Sequence, residues 1–212
     1  MKRNFLLDCG IASSLVYVAM NIVIPFFYPG YDCASMTVSE LSAVGAPTRW
    51  MWVIPGILWT ALVTAFGWGV LQSAGPNRRL RVAGLLLFLY GMVSIIWPFA
   101  PMHTREVLAS GGGTITDTLH LTMAGVSVLF MLASMGFGAF ALDKQFRIYT
   151  LGSMLALLLF GLLTATDAPR VEANLPTPYA GLWERINIGA FLVWVAALAV
   201  MVKCRGEEQE NN

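Results

Sequence analysis

Six long stretches without Asp, Glu, Lys, Arg or His decide most of what this chain can become: residues 9–31, 50–77, 82–102, 121–142, 148–166 and 186–202. A helix crossing about 30 Å of hydrocarbon needs about 20 apolar residues. Each stretch meets that length once Trp183 and its neighbours extend the last one. A soluble fold is no alternative. Of the 212 residues, 57% are hydrophobic and 12% charged, whereas a soluble domain carries about 25% charge. Too few polar residues remain to clothe a water-facing surface, and lipid is the medium in which apolar side chains stay exposed without cost. The expected fold is an all-α bundle of six transmembrane helices. It forms one integral membrane domain over residues 1–205, with a short, acidic, disordered cytoplasmic tail at 206–212. The net charge of +1 gives no electrostatic case for nucleic acid.

Orientation follows from the basic residues between spans. Lys2, Arg3, Arg78, Arg79, Arg81, Lys144, Arg147, Lys203 and Arg205 fall on one side, against Arg49, Arg105, Arg170 and Arg185 on the other. The richer side is read as cytoplasmic, which puts both termini inside and the protein in the plasma (inner) membrane. The longer connections, 29–49, 101–117 and 167–185, are then extracytoplasmic. Asp8 interrupts the N-terminal apolar run and no A-x-A site follows, so the first span is read as retained rather than as a signal peptide. Cys9, Cys33 and Cys204 make neither a CxxC pair nor a metal spacing and are read as structural. Prolines 25, 29, 98, 101 and 169 stand near the ends of the odd-numbered spans, each with a nearby polar residue (Asp32, His103 or Asp167), which admits a triplicated hairpin. Ser134 with Gly138, and Gly152 with Ala156, have small-xxx-small spacing for helix packing.

The spans carry no ionisable group at mid-depth, where Asn21, Ser94 and Ser127 are the most polar side chains. A proton-driven transporter or voltage sensor usually needs charges there. Chemistry gathers instead at the outer ends, where both histidines, His103 and His120, stand with most of the carboxylates. Asp117 and His120 are three residues apart at the start of a helix, hence on one face. A carboxylate there raises imidazole basicity and fixes its tautomer. Thr114-x-x-Asp117 and Thr37-x-x-Glu40 also have capping-box spacing. Asp167, Glu184 and Arg185 complete the rim, and Arg185 is a candidate for holding a phosphate or carboxylate. Three metal ligands with recognisable spacing are missing, and neither a metal nor another cofactor is expected.

Several short pieces together resemble the domain of unknown function 998 family of bacterial and archaeal multi-pass membrane proteins. These are Gly30-Tyr31-Asp32, Ser39-Glu40-Leu41, Trp97-Pro98-Phe99, Asp117 with His120, and Gly181-Leu182-Trp183-Glu184-Arg185. The resemblance covers nearly the whole chain and implies a six-helix membrane protein without an established activity. Two positions depart from it: Ser42 stands where similar proteins usually have glycine, and His103 where they tend to have aspartate.

The leading expectation is a protein that binds or processes a lipid or lipid-linked substrate at the outer leaflet. Glu40, Asp117 and His120 would be catalytic, and His103, Asp167, Glu184 and Arg185 would hold the substrate. A small-solute transporter or channel is the alternative. A noncatalytic subunit that pairs with itself or with another membrane protein is the third reading. A polar path running past Asn21 would favour the channel, and a sealed apolar inner half would count against it.

Overall fold

The computed structural model describes residues 2–211, with side-chain surroundings for residues 4–206. Met1, Asn212, the side chains of Lys2 and Arg3, and those of the acidic tail from Glu207 onward lie outside the described residues. The described residues form seven helices and no strand: α1 (Lys2–Val23), α2 (Arg49–Ser73), α3 (Arg78–Ser94), α4 (Arg105–Ala109), α5 (Ile115–Ala139), α6 (Lys144–Glu172) and α7 (Ala180–Asn211). All but the short α4 are long and apolar enough to cross a membrane.

Where a helix starts or stops has a local cause. Asn77 accepts from the Leu80 amide at 3.1 Å and caps α3, and Asp143 accepts from the Phe146 amide at 2.8 Å and caps α6. Pro25 and Pro98 sit in short 3₁₀ turns, Ile24–Phe27 and Trp97–Phe99, that close the first and third spans. Pro169 breaks this pattern, because α6 runs through it to Glu172. Charge-free counting also cut the spans short. Asp117 and His120 stand in the first turns of a helix, as expected, and Asp167, Glu184 and Arg185 also lie within helices rather than in a connection, because a charge in a terminal turn can meet backbone groups and neighbouring segments. The third long connection therefore shrinks to residues 173–179.

The six long helices form a closed ring in chain order. α1 packs on α2, α2 on α3, α3 on α5, α5 on α6, α6 on α7, and α7 back on α1. The α5–α6 seam is the loosest, and α6 is the least buried of the spans. At one end of the ring, here the turn end, short connections at 74–77 and 140–143 join α2 to α3 and α5 to α6. Three arginines converge there on carbonyls at and just past the end of α5: Arg147 on Ala139, Arg79 on Phe140 and Arg205 on Ala141. Cations at a helix C-terminus answer its partial negative charge.

The half of the bundle nearest the turn end is a continuous apolar core around Phe66, Leu87, Met135, Phe146 and Trp194. Its helices touch backbone to backbone. A Cβ on Gly67 would collide with the backbone of Phe88, and one on Gly84 would lie 2.5 Å from the Leu71 nitrogen. These two glycines set the α2–α3 contact. Of the two small-residue pairs read from sequence, Ser134 and Gly138 do face a neighbour, with Gly138 against the Trp194 ring. Gly152 meets nothing within 4 Å.

Candidate functional site

The other end, here the loop end, carries residues 28–48, the segment from Ala100 to Thr114, and residues 173–179. Glu40 lies in the first of these. The expected capping box forms: the Glu40 carboxylate accepts from the Thr37 amide at 2.6 Å and from its hydroxyl at 2.9 Å, opening a 3₁₀ turn at Val38–Ser42. Glu40 is only 2% exposed. Its charge is met by Arg105, whose Nε and Nη2 donate to the two carboxylate oxygens at 2.6 and 2.8 Å. This two-pronged geometry is the strong form of the pair. Arg105 also donates to Thr177 Oγ1 at 2.8 Å and to the Ser35 carbonyl at 3.0 Å. One side chain thus ties all three loop-end segments together. The Glu40 bond holds its guanidinium even more firmly protonated than usual. Nothing in the sequence around Arg105 marks it, since its partners are 65 to 72 residues away.

The two histidines have separate partners. Asp117 forms its capping box with Thr114 but turns its carboxylate to His103, not to His120. It accepts from the His103 amide at 2.7 Å and meets His103 Nδ1 at 2.9 Å. His120 instead places Nδ1 2.8 Å from the Ala100 carbonyl, with its ring edge-on to Trp97. A carbonyl only accepts, so Nδ1 carries the proton and Nε2 keeps a lone pair. No side chain among the described residues bonds that Nε2.

Glu184 and Arg185 diverge, as adjacent helical residues must. Glu184 accepts from the Val38 amide, and from the Ser39 hydroxyl at 3.1 Å. Arg185 donates to the carbonyls of Cys33, Met36 and Gly181 and to the Tyr31 hydroxyl, at 2.7 to 3.1 Å. Gly181 makes that docking possible, because a Cβ there would run into the Met36 and Cys33 carbonyls. Arg185 therefore pins the loop to α7 and has little left for an anion. Burial pushes the Tyr31 phenol up from its ordinary range. Asp32, in the same loop, is held below the usual carboxylate range by the Ser35 hydroxyl and by nearby backbone amides. Asp167 stands apart, 3.9 Å from Arg170 beside a small depression on α6 and α7.

Beneath the loops the ring is hollow. A cavity of about 850 Å³ runs between α2, α3, α5, α6 and α7. Its depth is mostly apolar and aromatic, with Trp59, Tyr90, Met131 and Phe191 at the bottom and Thr60, Ser94, Ser127 and Asn187 as scattered polar groups. Polar groups collect at its loop end: Ser39, Arg49, Asp117, His120 and Glu184. Arg49, a second residue without a sequence signal, donates to the Ser42 carbonyl at 2.8 Å. Along the α5–α6 seam, Leu121, Ala124 and Gly125 on one edge and Leu158, Leu162 and Ala165 on the other line the cavity while being exposed outside. The cavity therefore opens sideways between these helices. Of the expected residues, Asp117, His120 and Glu184 line this cavity, whereas Glu40, His103, Asp167 and Arg185 do not. No group of three or more His, Cys, Asp or Glu side chains among the described residues is arranged to hold a metal ion.

No curated protein and no solved structure matches this chain. Residues 11–201, nearly its whole length, match the family described as protein of unknown function (DUF998), and the chain belongs to that family.

Proposed function

We propose that this protein binds a lipid or lipid-like amphiphile. The chain of the ligand would lie in the hollow half of the bundle, and its headgroup at the polar loop end. The observation that carries this reading is the cavity of about 850 Å³, mostly apolar in its depth, more polar at one end and open between α5 and α6. Ligand sites commonly have this make-up, a largely apolar pocket with a few convergent polar groups. A sideways mouth between two apolar helices suits a ligand arriving from the bilayer. Arg78, Arg79, Arg81, Arg147 and Arg205 all belong to the turn end, which favours a cytoplasmic turn end and a headgroup site at the outer leaflet. The filled core on the turn side favours a blind cavity over a through-path for solutes.

The test uses Gly125, which lines the cavity and whose added Cβ would meet nothing within 4 Å. Gly125→Leu adds bulk at the mouth from a position whose Cβ meets no neighbour. In native mass spectrometry of the full chain extracted with membrane lipids, wild type retains a lipid and Gly125→Leu loses it. Equal retention by both would end this reading.

A further inference from the structure

The loop end of the cavity has a polarity that selects among headgroups. Its ionisable lining consists of one cation, Arg49, against three carboxylates, Asp117, Glu172 and Glu184, with His120 beside them. Arg49 is engaged by the Ser42 carbonyl. The neighbouring cations do not help, since Arg105 is bound to Glu40 and Arg185 to three carbonyls and a phenol. A phosphate or carboxylate headgroup would meet a single arginine, Arg49, against three carboxylates, in a site of net negative charge. An anion in a partly desolvated site needs an opposite charge beside it.

A cationic headgroup fares little better. Asp117 already accepts from the Thr114 and His103 amides and pairs with His103 Nδ1, and Glu184 already accepts from Val38 and Ser39. Glu172 is exposed to solvent, where a charge pair contributes little. At the loop end the acceptor left over is His120 Nε2, on a side chain that lines the cavity and is only 7% exposed, while the unpaired Trp59 indole N–H lies at the opposite, deep end. Its role as acceptor is fixed from behind by the 2.8 Å bond between Nδ1 and the Ala100 carbonyl. An acceptor in a mostly apolar cavity calls for a neutral donor.

Resting on the amphiphile-binding reading above, we propose that the site selects an uncharged headgroup bearing a hydroxyl, which donates to His120 Nε2. The ligand class is then long-chain alcohols and hydroxyl-bearing neutral lipids rather than phospholipid-like anions.

The experiment compares four probes of one chain length by native mass spectrometry of the purified full-length protein: oleyl alcohol, methyl oleyl ether, oleyl phosphate and oleylamine. The alcohol is expected to exceed the ether by about fivefold, the effect of one hydrogen bond, and to exceed both charged probes by about tenfold or more, because their charges lack a free partner. His120→Asn keeps a donor near the Ala100 carbonyl but removes Nε2, and should bring the alcohol down to the level of the ether. Preference for the phosphate or the amine, or equal retention of alcohol and ether, would overturn the headgroup assignment while leaving cavity binding intact. Retention of all four probes unaffected by Gly125→Leu would instead remove the cavity reading, and the assignment with it. Retention of none would do the same.

Discussion

Glycine plays two opposite parts in this bundle. Near the turn end, Gly67 and Gly84 are glycine because backbones of α2 and α3 occupy the space a side chain would need. In the hollow half, Gly56 and Gly125 line the cavity, and an added Cβ at either would meet nothing within 4 Å. The same residue type closes the α2–α3 contact and leaves open space at these two cavity positions, whereas at Gly161, also at the cavity, an added Cβ would meet Asn187 Nδ2 at 2.8 Å. Stability in such a bundle comes from close packing and interhelical polar contacts. The packed half therefore carries much of the fold, and the loop-end segments above the hollow half are joined by Arg105.

Substitutions can break this comparison or sharpen it. The largest effect is expected from Gly84→Leu, which must push α2 from α3. It should cost more than about 3 kcal/mol, beyond ordinary overpacking because the obstacle is backbone. Size-exclusion profiles in detergent should show little folded monodisperse protein, and a normal profile would mean that the α2–α3 contact is not decisive. Next comes Arg105→Ala, which leaves Glu40 buried and unpaired and should cost about 3–5 kcal/mol. Thermal unfolding of Arg105→Met, Glu40→Gln and the double variant measures the coupling. Simple addition of the two single losses would show that the pair does not act as a unit. Asp117→Ala removes acceptors for the Thr114 and His103 amides and should lower stability by about 1–2 kcal/mol. Hydrogen exchange should rise at the start of α5 and leave the turn end unchanged. The smallest effect belongs to Gly125→Leu, which should change stability by no more than about 1 kcal/mol, and towards a gain, because glycine is a poor helix former. An unfolding temperature well below wild type would mean that the open space around Gly125 is needed for folding.

The long helices were legible in the sequence because hydropathy is a local property, and a run free of charge leaves the chain few other places to go. Their ends were less so. Counting charge-free residues starts the fourth and sixth spans at Leu121 and Ile186, whereas both helices begin six residues earlier, at Ile115 and Ala180. The two capping boxes were legible too, since Thr37 with Glu40 and Thr114 with Asp117 need only four consecutive residues. What those caps do next was not. Glu40 meets Arg105 and Asp117 meets His103 across 65 and 14 residues, and no spacing rule reaches so far. The i, i+3 spacing of Asp117 and His120 suggested a pair, yet each found a nearer partner in the segment that follows α3. The cavity was the least legible feature. It depends on which glycines have neighbours, and Gly67 and Gly125 look alike in a sequence.

On the proposed reading, in which the ligand enters through the loose α5–α6 seam, concentration takes on a different meaning for this protein. A ligand that enters through a slit facing hydrocarbon is drawn from a two-dimensional reservoir. Occupancy then follows the mole fraction of the ligand among membrane lipids, not its amount in the surrounding water. Each added methylene in the ligand raises partitioning into the bilayer and burial in the cavity alike, so the two contributions largely cancel, and chain length discriminates less than it would for a water-facing pocket. Selectivity is left to the few polar atoms at the loop end. Detergent competes from the same reservoir, so the apparent affinity should weaken as micelle concentration rises, even at constant total ligand.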